Sequence, residues 1–71
     1  MEDYKIRFIL EYRQLTERIS KLAHVLNNWD NLDFIPNCSY ELLERQFNAM
    51  SEYQDVLMTR AQIEGIELKT D

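Results

Sequence analysis

The sequence predicts an all-α protein: an antiparallel two-helix hairpin with a short helical turn in the connection, which assembles into a symmetric homo-oligomer. Three observations support this fold class. The chain of 71 residues holds one glycine and one proline, too few for the turns of an all-β fold. Two long segments lack both residues and repeat apolar side chains in heptads. These apolar positions exceed what one hairpin can bury, so we expect further copies to cover the surplus.

The first helix is expected over about residues 2–28. Its apolar side chains follow alternating steps of four and three residues, which is typical of an amphipathic helix. They are Phe8, Tyr12, Leu15, Ile19, Leu22, Leu26 and Trp29. Residues 6–12 are apolar on nearly every side, so this segment is expected to face another chain as well as the hairpin core.

The connection is expected over about residues 29–38. Pro36 disfavours a helical conformation in the residue before it. The segment is too apolar for a loose linker, so we expect a short helical turn that folds back over the end of the core. Its apolar residues are Trp29, Leu32, Phe34 and Ile35.

The second helix is expected over about residues 39–64, with Ser39 as its N-cap and Gly65 as the left-handed residue that ends it, followed by Ile66 as the hydrophobic residue usual at that position. Its core stripe comprises Leu43, Phe47, Met50, Leu57 and Ala61, interrupted by Gln54. A second apolar stripe, about 100° to one side, comprises Leu42, Ala49, Val56 and Ile63. Residues 65–71 are expected to form a frayed tail, and the whole chain is expected to be a single hairpin domain.

The most buried residues of this hairpin should come from the heptad positions of both helices. The sequence predicts Leu15, Ile19, Leu22, Leu26, Leu43, Phe47, Met50 and Leu57 as this core.

Composition excludes several functions. One cysteine and one histidine cannot form an intrachain disulfide or a zinc site from one chain, and we expect no metal or cofactor. The net charge of −5 argues against binding to DNA, RNA or anionic membranes. No apolar run is long enough to span a membrane, and the acidic start resembles no secretion signal, so a cytoplasmic location is expected.

The candidates for catalysis are weak. His24 is the only candidate for acid–base catalysis at neutral pH, and no nucleophile accompanies it beyond Ser20. Cys38 has no basic neighbour closer in sequence than Arg45. Pairs of acids occur on the second helix, but the Glu-x-x-His motif of di-iron bundles does not. The sequence therefore predicts a protein that is not an enzyme.

Basic and aromatic residues suggest a ligand site near the open end of the hairpin. With a loop near residue 34, position i lies level with about 68 − i, so Phe8 should meet Arg60 and Tyr4 should meet Glu64. Aromatic rings can stack on a nucleobase while arginine binds phosphate. The candidate ligand-binding residues are Arg60, Arg13, Arg7, Lys5, Tyr12 and Tyr53. The alternative is a set of solvated charges balanced by Glu2, Asp3, Glu11 and Glu64.

Two segments resemble a group of small phage-encoded hairpin proteins. Residues 42–60 (LLERQFNAMSEYQDVLMTR) are similar to their second-helix pattern LLxxQxxxMxxYxxxLxxR. Residues 17–26 (ERISKLAHVL) are similar to the phrase ERIxKLxxFI that ends their first helix. The architecture resembles the compact anti-CBASS and anti-Thoeris sponges of phages, which oligomerise and sequester cyclic-nucleotide or ADP-ribose-derived immune signals without cleaving them.

This resemblance implies a phage anti-defence protein whose partners are a nucleotide second messenger and further copies of itself. The other hypothesis, which the sequence alone slightly favours, is a helical module that binds and inhibits or scaffolds a host or phage protein. For the first hypothesis we expect the pocket between protomers, because a two-helix hairpin has no interior of several hundred Å³. The loop end around Asn28, Trp29 and Asn31 is the fallback location.

Overall fold

The computed structural model describes residues 2–68, with the side chain of Glu2 left aside. It contains helix α1 (Glu2–Asn27), a 3-10 turn (Trp29–Asn31) and helix α2 (Tyr40–Glu64), and no strand occurs among these residues. The helices pack together antiparallel in an elongated hairpin of 45 × 20 × 17 Å. The all-α fold of two packed helices is therefore confirmed. Neither helix within residues 2–68 is both long and apolar enough to cross a membrane.

Both ends of α2 have the local chemistry that the sequence predicts. The Ser39 hydroxyl accepts a hydrogen bond from the backbone N–H of Leu42 at 3.1 Å, which satisfies one free donor of the first turn. At the other end, Gly65 adopts φ 69°, and its backbone N–H bonds to the carbonyl of Ala61. Only glycine adopts this left-handed conformation without strain, so Gly65 ends the helix where the chain must turn back.

The connection folds differently from the prediction at its apolar residues. Trp29 begins the expected helical turn and packs edge-on against Tyr40, with ring centroids 5.3 Å apart. Phe34 is exposed, however, and Ile35 is 92% exposed. The expectation that both side chains cover the end of the core is wrong, because both remain largely in contact with solvent.

The buried core lies in the open half of the hairpin. Phe8, Leu15, Leu57, Ala61 and Ile66 are buried, and Leu57 is fully so. The predicted core residues of the loop half are only half-buried: Leu22, Leu26, Leu43 and Phe47, as are Ile19 and Met50 nearer the middle. The prediction of the most buried residues is therefore confirmed for Leu15 and Leu57 and wrong for the other six. Two helices leave their shared seam open on both sides, and a third element completes the burial only in the open half.

That third element is the segment after α2, which the sequence predicts to be a frayed tail apart from Ile66, the hydrophobic residue expected after Gly65. Ile66 turns back into the core, where it is 7% exposed, and half-buried Leu68 packs against the same cluster. The backbone N–H of Ile66 also bonds to the carbonyl of Ala61 at 2.9 Å. Residues 65–68 are thus ordered by packing, and the rest of the predicted tail, residues 69–71, lies outside the described residues.

The second stripe of α2 lies on the surface. Leu42 and Val56 are each about half exposed, Ile63 is 79% exposed, and Ala49 is also exposed. Ile6 and Leu10 are exposed on α1, whereas their neighbours Phe8 and Ile9 pack into the hairpin. The hairpin therefore leaves the predicted surplus of apolar surface uncovered by its own residues. Self-association through this surface stays a prediction.

Candidate functional site

Arg60 is the centre of a polar and aromatic cluster at the open end of the hairpin. Its Nη2 donates a hydrogen bond to Tyr4 Oη at 2.9 Å, and its guanidinium lies over the Phe8 ring, 4.9 Å from the centroid. The Tyr4 hydroxyl in turn donates to Glu64 Oε2 at 2.9 Å, and this oxygen lies 4.0 Å from Arg60 Nη2. The cluster joins the first two turns of α1 to the last two turns of α2.

The antiparallel arrangement produces this cluster. Phe8 lies level with Arg60, and Tyr4 lies level with Glu64, as the sum of 68 predicts. Within each helix, Tyr4 and Phe8 are one turn apart, and so are Arg60 and Glu64, so each pair shares a face. The Phe8 ring is buried, which gives the guanidinium a fixed aromatic surface on which to lie.

A shallow groove of about 220 Å³ lies at the same end of the hairpin. It is lined by Tyr12, Met58, Ala61, Gln62, Ile66 and Leu68. The returning segment after Gly65 forms one wall of this groove, and half-buried Tyr12 forms another. Its volume is below the roughly 300–1,000 Å³ of typical small-molecule pockets, so one chain holds only part of a drug-sized ligand here.

The cluster and the groove lie on opposite sides of the helix pair. Met58 and Gln62, which line the groove, are each two residues from Arg60 and hence about 200° around α2 from it. On α1, Tyr4 and Phe8 face the cluster, whereas Tyr12 faces the groove. The hairpin thus presents two separate surfaces at its open end.

The six predicted ligand-binding residues divide between these two surfaces. Tyr53 lies seven residues before Arg60 on α2, and Arg7 lies one turn after Tyr4 on α1, so both belong to the cluster side. Lys5 lies seven residues before Tyr12 and joins the groove side. Arg13 lies one turn before Thr16, whose partner Gln54 lies one turn before the groove residue Met58, so Arg13 also joins the groove side. The structure does not bring all six residues together.

Three members of the cluster are absent from the predicted ligand-binding set: Tyr4, Phe8 and Glu64. The signal that identifies them is the register itself, which places Phe8 opposite Arg60 and Tyr4 opposite Glu64. The predicted ligand-binding set contains only basic residues and tyrosines, so it does not include the buried ring of Phe8. Glu64 is also absent from that set, because a phosphate is expected to bind a cation and Glu64 is an acid.

A second cavity, of about 250 Å³, lies at the loop end. Its lining comprises Ala23, Leu26, Asn27, Tyr40, Glu44, Phe47 and Asn48. The fallback residues have structural partners there: Asn28 Nδ2 donates to the carbonyl of His24 at 2.8 Å and lies 3.3 Å from its Nδ1, and Trp29 packs on Tyr40. Asn28 and His24 therefore close the end of α1 together.

The residues weighed for catalysis or metal binding stay dispersed. Cys38 is exposed in the connection, and exposed His24 lies at the end of α1. Among residues 2–68, no three of the histidine, cysteine, aspartate and glutamate side chains come close enough to hold a metal ion.

The fold and the open-end cluster define a small all-α hairpin protein with an arginine fixed on an aromatic ring at its surface. The chain belongs to the Sequestin family, whose model matches residues 2–63. The family name indicates a sequestering protein rather than an enzyme, in agreement with the resemblance to phage sponges. No curated protein and no solved structure matches the chain significantly.

Proposed function

We propose that this protein is a phage anti-defence protein that sequesters a nucleotide-derived immune signal, of the cyclic-nucleotide or cyclic ADP-ribose type, without cleaving it. The observation that carries the proposal is the guanidinium of Arg60, held between the Phe8 ring and the Tyr4 hydroxyl in a chain of the Sequestin family. A phosphate needs a cation with directed N–H donors, and arginine supplies them in a planar fork.

The cluster side is the better of the two surfaces for this role. Arg60 has its geometry fixed by two partners, which lowers the entropy that a ligand must remove on binding. Arg7 and exposed Tyr53 lie on the same side and supply a second cation and a stacking surface. The local cations matter because the net charge of −5 opposes the approach of an anion.

The same side carries the exposed apolar stripe of α2, which supports a site shared between copies. Val56 and Ile63 flank Arg60 along this face, four residues before it and three after it. A second copy that covers the stripe encloses the surface around Arg60 and excludes water from it. Enclosure of this kind supplies the additional walls that a pocket around Arg60 needs.

Thermal-shift screening against cyclic di- and trinucleotides and cyclic ADP-ribose isomers tests the proposal. One signal should raise the melting temperature and be recovered intact after heating. Arg60→Ala should abolish that shift, whereas Arg18→Ala, which removes an exposed arginine elsewhere on α1, should retain it. Full binding by Arg60→Ala contradicts the cluster as the site, and the absence of any shift across the screen contradicts the proposed function.

The groove side is tested in the same assay. Arg13, Lys5 and Tyr12 form the rest of the predicted ligand-binding set. Arg13→Ala should leave binding largely intact if the ligand occupies the cluster side. Loss of binding in Arg13→Ala with retention in Arg60→Ala assigns the ligand to the groove instead. If neither single variant nor the double variant loses binding, the loop-end cavity becomes the candidate.

A helical module that binds and inhibits or scaffolds a host or phage protein is the second candidate function. Ile35 at 92% exposure and exposed Phe34 favour it, because adjacent exposed apolar side chains at a loop tip suit a protein partner. In that case Ile35→Asp should abolish anti-defence activity in cells, and Arg60→Ala should not. The reverse pattern supports sequestration of a nucleotide.

A further inference from the structure

Glu64 places a carboxylate oxygen where an anionic ligand would meet Arg60. Its Oε2 accepts the Tyr4 hydroxyl at 2.9 Å and lies 4.0 Å from Arg60 Nη2. The same Nη2 donates to Tyr4 Oη at 2.9 Å. One oxygen of the protein's own acid thus faces both the hydroxyl and the guanidinium, as a phosphate oxygen would.

The negative charge of Glu64 does little to stabilise α2. Glu64 is the last residue of α2, and a negative charge at a helix C-terminus opposes the helix dipole. Its side chain and that of Arg60 are 36% and 44% exposed, so solvent weakens their attraction. A neutral glutamine could accept the same hydrogen bond from Tyr4 without the unfavourable charge.

We propose that Glu64 is an internal anion that holds Arg60 and Tyr4 in place in the free protein and gives way to a phosphate group of the ligand. This inference rests on the proposed function and deepens it, because it names the group that the ligand displaces. A phosphate carries more acceptor oxygens than a carboxylate and can bind the guanidinium through two parallel N–H bonds. Tyr4 takes one of the five N–H donors of Arg60.

Exchange of one anion for another makes binding selective. A ligand must carry enough negative charge to compete with Glu64, so an uncharged nucleoside should bind poorly and a phosphate or pyrophosphate group should be required. The Tyr4 hydroxyl can donate to either anion without moving far, because it already lies between Arg60 and Glu64.

Glu64→Gln tests this displacement. Without the competing charge, affinity for an anion should rise roughly two- to fivefold, the factor expected for a partly exposed ion pair. Glu17→Gln is the charge-matched control, because Glu17 also belongs to an i, i+4 ion pair, with Lys21 at 3.9 Å, far from the cluster. Both substitutions change the net charge by one unit, so a gain in Glu64→Gln alone reports the local exchange.

The probe is inorganic pyrophosphate, titrated into the full-length chain while the side-chain N–H signal of Arg60 is followed by NMR. The wild-type signal should shift, Glu64→Gln should reach half-saturation at a lower concentration, and Glu17→Gln should match the wild type. Tyr4→Phe should weaken binding, because it removes a donor without changing charge. This variant also separates the ligand role from a structural one, since melting temperatures are measured in parallel.

The outcomes separate this inference from the proposed function. Equal affinity in Glu64→Gln and Glu17→Gln, or weaker affinity in Glu64→Gln, overturns the displacement of Glu64 whatever a nucleotide screen shows. Tighter pyrophosphate binding by Glu64→Gln supports it, even if no nucleotide signal binds. A nucleotide shift in the wild type that Glu64→Gln does not strengthen leaves sequestration intact and rejects the exchange.

Discussion

Gln54 on α2 donates a hydrogen bond through Nε2 to Thr16 Oγ1 on α1 at 2.9 Å. Gln54 interrupts the core stripe of α2 in the sequence, where it looks like a defect in the heptad pattern. The structure gives it a partner of matching polarity on the facing helix, in a part-buried position. Each helix carries its member of this pair at a single position. The bond therefore forms only when the two helices are aligned along their axes so that Gln54 faces Thr16.

Breaking this bond should lower the stability of the hairpin modestly. Gln54→Ala is expected to lower the free energy of unfolding by about 0.5–1.5 kcal/mol. Chemical denaturation of Gln54→Ala, Thr16→Val and the double variant forms a double-mutant cycle. A coupling energy indistinguishable from zero would show that the bond does not stabilise the alignment of the helices.

The uneven core predicts an uneven response to truncation. Leu57→Ala should lower the free energy of unfolding by roughly 2–5 kcal/mol, enough to unfold much of so small a domain, because Leu57 is fully buried. Leu22→Ala should cost clearly less, since Leu22 is half-buried in the loop half. Denaturation midpoints measure both. Equal losses would show that the loop half is packed as tightly as the open half.

The turn at Gly65 has space for a side chain, but its positive φ is unfavourable for any L-residue. A Cβ added to Gly65 meets nothing within 4 Å, so Gly65→Ala creates no clash. Its φ of 69° is nevertheless unfavourable for an L-residue, and we expect a loss of about 1 kcal/mol. Thermal unfolding checks this value. Gly65→Asn, which tolerates the left-handed region better, should lose less, and the opposite order would contradict a backbone origin.

The exposed stripe of α2 predicts self-association. Val56→Glu should give a smaller species in light scattering, because it places a charge in the centre of the stripe. Ser20→Glu, an exposed position on α1, is the charge-matched control and should leave the size unchanged. Ile9→Glu is a poor test, since Ile9 packs against the core and its loss disturbs the fold itself. A wild-type chain that is a stable monomer would refute the predicted homo-oligomer.

Much of the hairpin can be predicted from sequence because its signals are local. The N-cap at Ser39 and the left-handed turn at Gly65 depend on side-chain chemistry within a few residues. The axial register follows from loop position alone, which places Phe8 opposite Arg60 and Tyr4 opposite Glu64.

The sequence does not determine how each helix is rotated about its own axis. Heptad spacing predicts which residues point inward to within a broad arc, and at the open end that arc includes Tyr4, Phe8 and Tyr12. Only packing decides that Tyr4 and Phe8 join Arg60 on one side while Tyr12 joins Met58 on the other. The predicted ligand-binding set therefore divides into two groups that the sequence alone does not separate.

The sequence by itself determined the two helices, their ends and the level at which each residue of α1 meets α2, because these follow from local backbone preferences and chain length. The tertiary structure decided where the core closes. The sequence identifies Ile66 only as the hydrophobic residue that usually follows a helix-ending glycine, and the folded chain shows that it returns into the open half and completes burial around Leu57. The reason is physical: burial depends on a third surface covering the seam between two helices, and only the folded chain shows which segment supplies it.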